Sequence, residues 1–65
     1  MRTVFLSMEQ ICELDRKDLL FLDLSEASHI AQRENMVYRT DAFTVVHVIH
    51  KWTEEDYGYA VLQRI

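Results

Sequence analysis

The chain has no proline, one glycine (Gly58) and one cysteine (Cys12). With almost no glycine or proline, turns must be made by Asp, Asn and Ser, and a flexible linker or a glycine-rich phosphate cradle is excluded. A single cysteine allows no intrachain disulfide and no thiolate-rich zinc site. A lone thiol without a secretory segment fits a reducing, cytoplasmic compartment. No apolar run approaches the roughly eighteen residues that a membrane span requires. No cluster of Lys and Arg is present either, and internal repeats are absent.

What remains is 65 residues, a single domain over 1–65. A chain this short buries only about 60% of the surface it exposes when unfolded. Its core supplies on the order of 3–5 kcal/mol, so small folds of this size usually carry a staple. With disulfide and thiolate zinc excluded, the staple to expect is oligomerisation, possible here as a homodimer, or a bound protein partner.

The net charge is −4, from 11 acidic and 7 basic residues. The excess lies early: Glu9, Glu13, Asp15, Asp18, Asp23 and Glu26 face only Arg16 and Lys17 in that stretch. An acidic chain without a segregated basic face is repelled by a phosphate backbone, which disfavours direct nucleic-acid binding.

Residues 2–6 suit a short strand. Ser7 followed by Gln10 is a capping-box pattern, and Met8, Ile11, Cys12 and Leu14 then give a helix over about 8–16. The run LLFLDL at 19–24 reads as helix by propensity or as a short buried strand. The strand is favoured because Asp23 with Glu26 forms a second capping box opening a helix over 24–35, with Leu24, Ala27, Ile30 and Ala31 inward and Asn35 as a left-handed stop. From Met36 the composition turns to β: MVYRT, FTVVHVIHKW and YGYAVLQRI predict three strands, with a turn at 41–42 and a hairpin loop at 53–56. The expected fold class is therefore α+β, one or two short helices packed on an antiparallel sheet, with a C-terminal three-stranded meander over about 36–65.

Two histidines three apart, His47 and His50, sit in the most apolar run. Side chains of a strand alternate faces, so this pair points in opposite directions and cannot share a metal. His29 is joined to neither by a zinc-ligand pattern. No metal and no cofactor are expected. The same alternation puts Phe43, Val45, His47 and Ile49 on one face and Val46, Val48, His50 and Trp52 on the other. The returning strand places Tyr57, Tyr59, Val61 and Ile65 on one face and Ala60 and Leu62 on the opposite one. Both faces are apolar, so something must cover each, either another segment or another chain.

No catalytic constellation stands out. Cys12 has Glu9 and Glu13 beside it, which disfavours a thiolate, and it reads as an inert core or boundary residue. A formed pocket is hard to build in a chain that must also fill its core, so the protein is not expected to be an enzyme. The remaining grouping is at the predicted hairpin: Trp52, Tyr57 and Tyr59 with Glu54, Glu55 and Asp56, residue types that serve protein interfaces. These point to a small protein-binding module that regulates or inhibits a larger protein, of a size that suits a phage or mobile-element accessory protein. Its acids would mimic phosphate charge, so binding would weaken with salt. A second reading starts from residues 25–40, SEASHIAQRENMVYRT, which resemble the first half of a helix-turn-helix; Arg33 and Arg39 would then contact phosphate, in a DNA-binding regulator. A third is a homo-oligomeric structural subunit.

Overall fold

Ser7 separates the first strand from the first helix by capping. Its Oγ accepts the Gln10 amide at 3.2 Å, and the Gln10 Oε1 accepts the Ser7 amide at 2.9 Å, closing the capping box. The computed structural model describes residues 1–64, so the face assigned to Ile65 lies outside the described residues. Strand β1 (Arg2–Leu6) leads into helix α1 (Met8–Arg16). The helix ends through Lys17, whose amide bonds the Glu13 carbonyl at 3.2 Å, and Asp18, which takes a left-handed φ of 57°. The ambiguous leucine run is a strand, β2 (Leu20–Phe21), followed by Asp23 as N-cap of α2 (Leu24–Tyr38). Here one expectation is corrected. Asp23 accepts the Ser25 amide at 2.9 Å, but no reciprocal bond from Glu26 forms, so this is a simple cap and not a capping box.

The end of α2 also differs from expectation. Asn35 does not stop it; the helix continues through Met36, Val37 and Tyr38, and Arg39 at φ 52° is the left-handed cap. The strand expected at 36–40 is therefore helix for its first three residues. Two strands of the expected meander form, β3 (Phe43–His50) and β4 (Asp56–Gln63), paired antiparallel. The neighbours come from upstream: β2 lies antiparallel beside β4, and β1 lies parallel beside β3. The sheet has four strands in the order β1-β3-β4-β2 and is mixed, within an α+β fold carrying two helices.

Each helix covers its own face of the sheet. On the first face, Ile11 of α1 is buried with Val46, Val48 and Ala60, surrounded by Val4, Leu6, Leu14, Leu20, Tyr57 and Leu62. On the second, Ala27 and Ala31 of α2 are buried with Val61, against Phe21, Ile30, Phe43, Val45 and Tyr59. This accounts for two apolar faces on one strand: both are covered internally, by α1 and by α2. Small residues on α2 let that helix approach closely, and the fully buried side chains go no larger than Ile and Val.

Gly58 sets the local geometry of β4. The pairing His47–Tyr59 shifts to Ile49–Asp56, so three residues of β4 span what two of β3 span, a bulge. Gly58 sits in it at φ +92°, and a Cβ there would lie 2.3 Å from the Phe21 carbonyl oxygen of β2. Only glycine meets both demands.

Candidate functional site

The β3–β4 hairpin is held by one imidazole. The amides of Trp52 and Thr53 both donate to His50 Nδ1, at 3.1 and 3.2 Å. Nδ1 is thus the unprotonated acceptor, which places the hydrogen of the neutral ring on Nε2. The His50 carbonyl accepts the Glu54 amide at 2.9 Å, and its own amide donates to Glu55 at 2.9 Å. Thr53 Oγ1 accepts the Glu55 amide at 3.3 Å, and Glu54 takes a φ of 62°. His50 itself is buried against Tyr57, ring centroids 6.2 Å apart. His50 is thus a loop-organising residue.

His47 lies on the opposite face. Its ring stacks on Tyr59 at 5.3 Å, and its Nε2 stands 2.9 Å from Asp56 Oδ2. The two polar groups meet at ion-pair distance. Asp56 Oδ1 meanwhile accepts the Gly58 amide at 2.8 Å. The Gly58 amide first, and then the His47 ring, hold the exposed Asp56 carboxyl below its ordinary value of 3.8. Among the described residues no group of three or more His, Cys, Asp or Glu side chains is placed to hold a metal.

The six residues singled out by the sequence separate into two sets. Trp52, Glu54, Glu55 and Asp56 share the exposed hairpin end. Trp52 is 77% exposed, and the Lys51 Nζ lies 4.9 Å above its ring. Tyr57 and Tyr59, expected on one face, are divided by the bulge: Tyr57 packs with the α1-side core and Tyr59 with the α2-side core. Both serve mainly as core. Cys12, read as core or boundary, is exposed.

A second exposed apolar group, not legible in the sequence pattern, is Met36, Val37 and Tyr38 at the end of α2. Tyr38 stacks on Phe43 at 5.8 Å. Their signal was masked because β-branched and aromatic residues read as strand. A shallow depression of about 280 Å³, lined by Met1, Arg2, Thr44, Val45, Val46 and Arg64, brings together no acid–base or nucleophile–base pair. The helix-turn-helix pattern is not realised either. The chain after α2 is strand β3, and α1 and α2 are separated by β2 on opposite faces of the sheet. No helix of the described residues is long and apolar enough to cross a membrane.

These features define a small α+β domain with a helix on each face of a mixed sheet and a hydrogen-bonded, aromatic and acidic hairpin end. No family model, no curated protein and no solved structure matches this chain.

Proposed function

We propose that this chain is a non-enzymatic protein-binding module that regulates or inhibits a larger protein, in a reducing, cytoplasmic setting, with the hairpin end as its contact surface. The observation that carries this reading is Trp52. It is the chain's one tryptophan, and it stands 77% exposed while both tyrosines of the returning strand and Phe21 and Phe43 pack against the core. An indole buries on the order of 150–250 Å² when it finds a pocket, area that a fold this small would otherwise use internally. The loop beneath it is already ordered through His50, so docking Trp52 costs little further conformational entropy. Glu54 and Glu55 beside it favour a basic partner surface, which makes salt-sensitive binding the expectation.

The test is recovery of partners from host lysate with the tagged protein, in parallel with Trp52→Ala and with Glu54 and Glu55 changed to Gln, each with and without nuclease. A protein retained after nuclease by the wild type, lost from W52A and released by raised salt supports the reading. Recovery of the same proteins by W52A, or of nucleic acid alone, refutes it.

A further inference from the structure

We infer that the free edge of β1 pairs antiparallel with β1 of a second copy of this chain, joining two four-stranded sheets into one. This goes beyond the hairpin reading and does not depend on it, since β1 and the hairpin loop use different surfaces.

The Lys51 amide donates to the Leu6 carbonyl at 2.9 Å, so Leu6 directs its backbone groups toward β3. In a strand the N–H and C=O of successive residues alternate sides. Arg2, Val4 and Leu6 therefore bond β3, while Thr3 and Phe5 direct their N–H and C=O outward. Helix α2 packs over β2, β3 and β4, and α1 over β2 and β3 with Val4 and Leu6 of β1 at the border of its core. Phe5 is left 60% exposed.

Those outward groups are self-complementary. A twofold axis at Val4 sets Thr3 opposite Phe5 of the second copy and Phe5 opposite its Thr3, and each such pair exchanges both of its hydrogen bonds. The same axis keeps like faces together, so the two Phe5 rings become diagonal neighbours within reach of each other. It also places Arg2 opposite Leu6 of the second copy, whose chain turns through Ser7 directly into Glu9 in the first turn of α1. Arg2 and Glu9 have no ion-pair partner among the described residues. The pairing therefore brings one unpaired charge of each sign together twice. The strand carries none of the usual guards on a bare edge: no proline, no bulge, and Arg2 as its only charge.

Five paired residues make an interface at the small end of the specific range, so the dimer is expected to dissociate at tens to hundreds of micromolar. Sedimentation equilibrium from about 10 μM to about 1 mM reads it, at a concentration span matched to that estimate. The wild type should move from monomer to dimer across this span. Thr3→Pro removes an outward donor without touching the β3 ladder and should weaken association about tenfold or more. Arg2→Glu and Glu9→Arg should each weaken it several-fold, and the double swap should restore it. Both swaps are on exposed side chains, and far-UV circular dichroism confirms that each variant is folded. A wild type that stays monomeric to about 1 mM overturns the inference. So does a dimer that T3P leaves intact, or charge variants whose losses simply add in the double swap.

Discussion

Replacing Gly58 by Ala should remove most of the stability of this fold. Its φ of +92° costs an L-residue about 1–2 kcal/mol. The added Cβ would then sit 2.3 Å from the Phe21 carbonyl oxygen, 3.2 Å from its carbon and 3.3 Å from Leu22 Cα. All three are backbone atoms, so no side-chain rotation relieves the contact, and β2 must move away from β4. Moving it weakens the Leu20–Ala60 and Phe21–Tyr59 pairing and the bond from the Val61 amide to the Leu19 carbonyl. With about two of these bonds lost at about 1 kcal/mol each, the total comes to about 3–4 kcal/mol. A fold of this size holds about 3–5 kcal/mol, so the variant should sit close to its unfolding midpoint in buffer. Urea titration followed by far-UV circular dichroism measures this, with the midpoint expected to fall by about 3 M. Gly58→Asn separates the two causes. Asparagine tolerates a left-handed backbone but keeps the Cβ, so it should recover only about 1 kcal/mol. A loss below about 1 kcal/mol for G58A, or full recovery in G58N, would refute the close approach of β2 as the reason for this glycine.

Asn35 joins the end of α2 to the start of β3, its side chain donating to the Phe43 carbonyl at 3.0 Å and accepting the Phe43 amide at 2.9 Å. Asn35→Ala should cost about 1–3 kcal/mol by urea titration, with Asn35→Asp intermediate because it keeps the acceptor alone. His50→Ala leaves the Trp52 and Thr53 amides without their acceptor; faster hydrogen exchange at those two amides is expected, with a stability loss of about 1–3 kcal/mol. Asp56 has a depressed folded pKa, so its carboxylate contributes stability above its ordinary value of 3.8 and loses that contribution as pH falls below it. The stability gap between wild type and Asp56→Asn should therefore hold steady from neutral pH to about pH 5 and narrow below 3.8. A gap independent of pH would refute the role assigned to the Gly58 amide and the His47 ring.

Local signals were legible where the interaction spans three or four residues. The Ser7–Gln10 capping box and the span of α1 follow from side chains that reach their own backbone, which needs no tertiary partner. Asp23 as N-cap is of the same kind, while the strand at Leu20–Phe21 and the β3–β4 hairpin were legible from apolar runs and turn residues along the chain. The opposite directions of His47 and His50 followed from strand alternation alone. The end of α2 was not legible. Val37 and Tyr38 favour strand by only tenths of a kcal/mol each, and Asn35, a plausible stop, is instead used to grip Phe43. Arg39 in a left-handed cap carries no compositional warning.

The division of Tyr57 from Tyr59 was equally hidden, because a bulge shifts alternation by one residue and its position depends on the β2 carbonyl that leaves no room for a side chain. By itself, then, the sequence determined the α+β class, the first helix, the hairpin and the two-sided apolarity of β3, since propensity, capping and period-two patterning act along the chain. Which upstream strand joins each edge, which helix covers which face, and which aromatic stays outside were decided only by the tertiary structure. Those outcomes depend on pairings between residues forty or so positions apart, such as Val4 with Val48, whose burial no local pattern encodes.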